Sequence, residues 1–136
     1  MAEKIPLIYE NVFGKQAYAR VKDTEQTITI TLAAGKGTIV DAYAYDYATH
    51  TKITKAYPGQ EIGFSVTVRN DGDKDTIWVT GKDKDTGAII TNKYGVPFDA
   101  STPGLDSGKI WGYTIDPVVM PNKNFNVLIE AGHGSA

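Results

Sequence analysis

The chain has 136 residues, of which 41% are hydrophobic and 22% charged, and its formal net charge is −2. This length is typical of one domain whose core is large enough to fold without disulfides or metal ions. The absence of cysteine excludes disulfides, zinc–thiolate sites and thiol nucleophiles. Because the chain has only two arginines and a weak negative charge, we expect no nucleic-acid partner, and no motif points to a cofactor.

The N-terminal sequence, MAEKIPLIYENVFGK, contains an apolar stretch that Pro6, Glu10 and Asn11 interrupt. A signal peptide needs a longer uninterrupted apolar region, and a membrane span needs a longer one still. We therefore expect no membrane partner, and we expect the chain as written to reside in the cytoplasm or in a virion. Its location would be extracellular if a leader had been removed.

Alternation of apolar and polar residues with a period of two dominates the chain. This period is typical of β-strands that bury one face. In EIGFSVTVRN, for example, every second residue from Ile62 to Val68 is apolar. Strands are predicted at residues 26–32, 37–47, 61–70, 75–83, 87–92, 108–115 and 124–132.

The turn-forming residues Gly, Pro, Asn and Asp cluster between these segments, as in NDGDKD, YGVP and STPGLDSG. The 14 glycines disfavour long helices, and no segment sustains a helical period. The pattern predicts an all-β fold, an Ig-like antiparallel β-sandwich of seven to eight strands with an N-terminal extension. We divide the chain into an N-terminal arm at residues 1–16, the sandwich at 17–132 and a flexible tail at 133–136.

One stretch carries a family resemblance. A Pro-Gly turn at residues 58–61 precedes an alternating strand that ends in VTVRNDG at 66–72, and a hairpin follows at 83–87. Together these elements resemble the bacterial and archaeal Ig-like modules of the CARDB type, the cell-adhesion-related domains, over about residues 38–132. The resemblance implies a β-sandwich used for adhesion, spacing or docking, and it supplies no catalytic residues.

The sequence DAYAYDY places Tyr43, Tyr45 and Tyr47 at alternate positions, so on a strand the three tyrosines share one face. Three interpretations are open. The tyrosines pack at the edge of the core with their hydroxyls at its rim, they form a protein interface, or they stack against a polysaccharide.

Residues 71–75 and 83–85 carry alternating aspartates, which resemble a calcium-binding loop. An EF-hand is excluded because Thr76 stands where it needs glycine and Lys82 where it needs glutamate. Turn-forming aspartates explain the pattern better, and a looser site between the two loops is the alternative. We predict no metal site and expect nearby lysines to balance the charge: Lys74, Lys82 and Lys84.

Catalytic chemistry has little support in the sequence. His50 and His133 lack a second ligand at metal-binding spacing, and no serine has the context of an activated nucleophile. Since no set of residues supplies a nucleophile, a base and an oxyanion site together, we predict no catalytic residues and no enzymatic activity.

The arm holds six apolar residues within nine positions, too many for a segment left in water. It can form a first strand on its own sandwich, or it can be donated to the exposed sheet edge of a neighbour. The predicted interface residues are Ile5, Leu7, Ile8, Tyr9, Val12, Phe13, Tyr43, Tyr45 and Tyr47.

These observations favour a non-enzymatic structural and interaction protein that docks into a protein assembly or homo-oligomer, with strand donation as one means. By analogy based on the predicted fold alone, the chain resembles an accessory or decoration protein of a virus capsid. The alternative is a carbohydrate-binding or cell-surface adhesion module, with polysaccharide as the partner.

Overall fold

A computed structural model describes residues 6–7 and 17–134, of which 6–7 and 17–18 are described through the backbone alone. The chain divides into two compact units, Met1–Leu32 and Ala33–Ala136. In the first unit, β1 (Pro6–Leu7) pairs antiparallel with β2 (Ala17–Tyr18). Within the described ranges there is no helix long and apolar enough to cross a membrane.

The second unit is a β-sandwich of seven strands in two antiparallel sheets. The strands are β3 (Gly37–Asp46), β4 (Lys52–Ile53), β5 (Glu61–Asn70), β6 (Asp75–Asp83), β7 (Asp99–Leu105), β8 (Ile110–Val119) and β9 (Val127–His133). One sheet has the order β4–β3–β5–β8, and the other has the order β7–β6–β9. The predicted all-β antiparallel sandwich of seven to eight strands is confirmed.

The core lies between the two sheets and is built where the alternation of the sequence is strictest. Phe64, Val66 and Val68 of β5 are buried, and Ile77 and Val79 of β6 are fully buried. Burying each such side chain contributes about 1.5–3 kcal/mol, so these two central strands supply much of the stability of the sandwich. The predicted inward phase of both strands is confirmed.

The strand predicted at residues 26–32 is wrong. The side chains of Ile28, Ile30 and Leu32 are 81%, 90% and 91% exposed, and the segment pairs with no described strand. Its alternation is that of a strand, but a strand also needs a neighbour that accepts its main-chain hydrogen bonds. The compact unit that holds the sandwich accordingly begins at Ala33, whereas the sequence predicted residue 17.

Other differences lie near the sheet edges. Residues 87–92, predicted as a strand, form only two isolated bridges. The segment DASTPGL forms β7, although its Pro103 and Gly104 predicted a joint; β7 is an edge strand, where proline is tolerated. His133, assigned to a flexible tail, is the last residue of β9 and pairs with Ile77.

Candidate interaction surfaces

The tyrosine row of β3 lies on the outer face of the four-stranded sheet. Ala44 lies opposite Phe64, which is buried in the core, so the residues on either side of Ala44 point outward. Tyr45 lies opposite Gly63, and Tyr43 shares its face. These tyrosines therefore do not line the space between the sheets, in contrast to the core-edge interpretation.

Tyr45 is the buried centre of this row, with 6% of its surface exposed. Its ring lies over Gly63, where any side chain would collide with it. Its hydroxyl donates a hydrogen bond to the carboxylate of Asp116 on β8, and its ring stacks on that of His50 with 5.8 Å between centroids. Burial and the Asp116 carboxylate raise the pKa of Tyr45 above its ordinary value. Tyr45 therefore fastens β3 to β8 across the intervening β5.

The side chains around Tyr45 leave an aromatic surface for a partner. Tyr47 is 37% exposed, and the Nζ atom of Lys52 lies 4.4 Å from the ring centroid of Tyr43, a cation–π contact. His50 has a φ of 58°, a left-handed conformation that costs free energy in a residue other than glycine and that often occurs at binding sites. We call Tyr43, Tyr47 and His50 the tyrosine face.

The loop between β5 and β6 is hydrogen-bonded to the segment that leads into β3. The fully buried Asn70, the last residue of β5, is at the centre of these hydrogen bonds. The side-chain oxygen of Asn70 accepts hydrogen bonds from the backbone N–H groups of Lys36 at 3.1 Å and Gly72 at 2.9 Å. Its side-chain nitrogen donates to the backbone carbonyls of Asp73 and Leu105, both at 2.8 Å. One amide thus satisfies four backbone groups from three parts of the chain.

The aspartates of this loop also make structural hydrogen bonds. The carboxylate of Asp75 accepts from the N–H groups of Gly35 at 2.9 Å and Thr76 at 2.7 Å, and these bonds lower the pKa of Asp75. Arg69 donates to Asp71 and lowers the pKa of that carboxyl to about 2. In the part of the chain that the structure describes, no group of three or more histidine or acidic side chains could hold a metal ion.

The aspartates at the end of β6 are joined to a lysine from a distant loop. The Nζ atom of Lys123 lies 2.9 Å from Asp83 and 3.7 Å from Asp85, and its hydrogen bond lowers the pKa of Asp83. Lys82, expected to balance these aspartates, pairs with Glu130 at 3.4 Å. The prediction that Lys82 balances the charge of Asp83 and Asp85 is therefore wrong, because Lys123 pairs with both.

We expect Asp75→Asn to lower the melting temperature of the sandwich at neutral pH. We also expect the melting temperature of this variant to fall less than that of the wild type when the pH is lowered. The folded-state pKa of Asp75 is lowered, so its contribution is present above the unfolded pKa of about 3.9 and is lost as the pH falls through the folded value. Thermal melts of both proteins between pH 7 and pH 2 measure this. Parallel melting curves with no difference at pH 7 would contradict it.

A groove of about 700 Å³ opens into the sandwich beside β4. Its floor reaches the core residues Ile62 and Phe64, together with Phe125. Tyr57, which is 81% exposed, stands at its rim. The groove therefore offers apolar contact area next to the core.

A second cleft, of about 420 Å³, lies on the outer face of the three-stranded sheet. Its floor is Trp78, whose indole lies so close over Gly132 that a Cβ atom there would be 2.5 Å from Cζ2. The indole Nε1–H donates to the carbonyl of His133 at 3.2 Å, which fixes the ring. Polar residues border the cleft: Thr76, Thr80, Asp99 and Ser101. The sequence could not predict this site because Asp99 and Ser101 belong to the unpredicted β7.

A third surface comes from the segment that was wrongly predicted to be half buried. In QTITITL the apolar residues Ile28, Ile30 and Leu32 alternate with threonines, and all of these residues are exposed. We call Ile28, Ile30 and Leu32 the apolar ribbon. The predicted arm residues Ile5, Leu7, Ile8, Tyr9, Val12 and Phe13 lie outside the described residues, apart from the backbone of Leu7.

Comparisons of the chain with protein-family models, with curated proteins and with solved structures find no match. The resemblance to CARDB-type modules therefore stays a prediction. The surfaces that can contact a partner are the tyrosine face, the groove beside β4, the cleft at Trp78 and the apolar ribbon.

Proposed function

We propose that this protein is a non-enzymatic structural and interaction protein, a single Ig-like sandwich of CARDB-like type that docks into a larger assembly. An accessory or decoration protein of a virus capsid is the assembly role we favour. The observation that carries the proposal is the exposure of the apolar ribbon. Each of its three side chains would gain about 1.5–3 kcal/mol on full burial, and a partner surface would supply that burial.

The backbone around the apolar ribbon supports the same proposal. Residues 26–34 carry no charge and no proline, and residues 27–31 are all β-branched, which favours an extended conformation. A segment of this composition aggregates when it is left free, so a working protein has to cover it. Adding it as a strand to another sheet would satisfy its main chain and bury its apolar side chains at once.

The ring of His50 packs against tyrosines, which suits a scaffold without catalytic chemistry. The ring of His50 lies 5.8 Å from that of Tyr45 and 6.3 Å from that of Tyr47. His133 offers its backbone carbonyl to Trp78. The tyrosine face adds a second surface, which is aromatic with polar tips, a composition that is enriched in protein interfaces.

We expect the protein to associate as its concentration rises, and we expect Ile28→Ser, Ile30→Ser and Leu32→Ser together to abolish association. The melting temperature of the monomeric sandwich should be unchanged because these side chains are exposed and lie outside its core. Size-exclusion chromatography with light scattering measures the mass. Thr27→Ser, Thr29→Ser and Thr31→Ser together are the matched control. A wild-type protein that stays monomeric at every concentration would contradict the proposal.

A second candidate function is recognition of polysaccharide, and the cleft at Trp78 is the observation that favours it. An indole fixed flat over Gly132 offers an apolar face against which a sugar ring can stack. The bordering hydroxyls and carboxylate offer several hydrogen-bond donors and acceptors, as specific ligand clefts do. Of the residues that line the cleft, none is a lysine or arginine, so a neutral sugar suits it better than an anion.

This second candidate predicts that neutral hexose oligosaccharides perturb Trp78 selectively. The chain has only two tryptophans, so two indole N–H signals report separately on Trp78 and on Trp111 of β8. Titration with a panel of such oligosaccharides should shift the Trp78 signal and leave that of Trp111 in place. The sugar that shifts this signal should also raise the melting temperature of the protein. Trp78→Ala should abolish that rise, and Tyr43→Ala should not. No shift with any member of the panel would exclude this function for the cleft.

A further inference from the structure

The edges of the two sheets differ in how they are protected against strand addition. Edge strands normally carry charges, prolines or bulges that prevent pairing with another chain. β7 carries Asp99 and Pro103, β9 carries Glu130, and β4 has only two residues, of which one is Lys52. In β8, residues 110–115 carry none of these features and pair in regular register with β5 alone. Among the described strands of the sandwich, β8 therefore has the least protected edge.

The side-chain pattern of this edge matches that of the apolar ribbon. Trp111 and Tyr113 lie opposite core residues of β5, so they face inward, and both are only half buried. Gly112 and Thr114 face outward and are exposed. In a strand added to this edge, every second side chain would face inward and contact Trp111 and Tyr113. The side chains between them would face outward, next to Thr114. Residues 26–32 alternate aliphatic side chains with threonines in this way.

We propose that residues 26–32 of one copy add as a strand to the free edge of β8 in a second copy. This inference rests on the proposed function, for which it names the partner and the contact. The donor has seven residues and the regular part of the acceptor has six, so one pairing uses the full length of the acceptor and all but one residue of the donor.

The electrostatics and the size of the contact favour a second copy as the occupant. Both partners in the pairing are uncharged, so their approach desolvates no ionised group. One strand of seven residues spans about 23 Å and makes a small contact beside the roughly 800 Å² per partner of a standard interface. Reciprocal exchange between two copies forms two such strands around a two-fold axis and doubles the contact.

Disulfide trapping tests the pairing on a clean background, since the wild-type chain has no cysteine. Thr29→Cys protein is mixed with protein that carries Gly112→Cys or Thr114→Cys, and the mixture is oxidised. A disulfide needs Cα atoms within about 7 Å, so it forms only between directly neighbouring strands. The matched control acceptor is Ser101→Cys, an exposed position on β7. The linked peptides are identified by mass spectrometry.

We expect the Thr29→Cys protein to link to position 112 or 114 and not to position 101, and we expect the Ile28→Ser, Ile30→Ser, Leu32→Ser background to lose the link. If the wild-type protein associates but the cysteines link at 101 or nowhere, the assignment to β8 is overturned while the proposed function stands. If a doubly substituted Thr29→Cys, Thr114→Cys chain links only within one monomer, the second copy is overturned as the partner. If the wild-type protein never associates, the proposed function itself fails.

Discussion

Asn70→Ala is expected to destabilise the sandwich by about 3 kcal/mol or more, because several buried polar groups lose their partner together. The substitution leaves the N–H groups of Lys36 and Gly72 and the carbonyls of Asp73 and Leu105 without the side chain that satisfies them. Asn70 has no exposed surface, so the groups it serves lie where water is scarce. Each buried group left unpaired costs about 1–3 kcal/mol, and some entry of water offsets part of the sum.

Urea denaturation followed by circular dichroism measures this loss, with Asn126→Ala as the control. The amide nitrogen of Asn126 lies 3.4 Å from Asp85 on the exposed surface, so we expect its removal to change stability by less than about 0.5 kcal/mol. A loss below about 1 kcal/mol for Asn70→Ala would show that the loop does not depend on this amide.

Phe98→Ala is expected to cost about 3–5 kcal/mol, the usual range for removing a fully buried aromatic ring. Phe98 has no exposed surface, and its ring centroid lies 5.7 Å from that of Tyr113 and 6.3 Å from that of Phe64. Its ring also packs closely over Gly81 of β6. Phe98 therefore contacts both sheets from the segment that precedes β7, and its loss leaves a cavity between them.

The control for Phe98 is Tyr94→Ala in the same connecting segment. Tyr94 is 72% exposed, so its removal should leave the denaturation midpoint nearly unchanged. Phe98→Leu should lie between the wild type and Phe98→Ala because it refills part of the volume. Equal midpoints for Phe98→Ala and Tyr94→Ala would mean that Phe98 does not join the two sheets.

The central strands could be predicted from the sequence because their two faces differ and their ends carry turn residues. The bounds of β5 and β6 are those predicted, residues 61–70 and 75–83. β7 and Phe98 could not be predicted in the same way. Proline and glycine in DASTPGL resemble a joint, and only the position of β7 at a sheet edge makes them acceptable.

Local pattern also fails where the partner of a segment decides its structure. The alternation of residues 26–32 is as regular as that of β5, yet the segment is exposed and unpaired among the described strands. A sequence records the preference for an extended conformation and the division into two faces. It does not record which sheet, or which copy of the chain, offers the matching edge.

The tyrosine row shows a similar division between what was and was not predictable. That Tyr43 and Tyr45 share a face follows from the period of two. Which face they share depends on register, because Ala44 of β3 packs against the core and the ring of Tyr45 fits on the outer face over Gly63. The partners of Tyr45, Asp116 and His50, come from a distant strand and from a turn, so no local pattern identifies them.

Hydrogen exchange at the backbone amides of residues 26–32, followed by NMR, tests most directly whether this segment gains a partner. Unpaired amides exchange at intrinsic rates, whereas amides in an added strand become protected. In the wild-type protein we expect protection of these amides to rise with concentration, together with protection along β8. In the Ile28→Ser, Ile30→Ser, Leu32→Ser protein we expect none in the segment at any concentration. Fast exchange of residues 26–32 in the wild-type protein at the highest concentration would contradict the proposed role of the apolar ribbon in assembly.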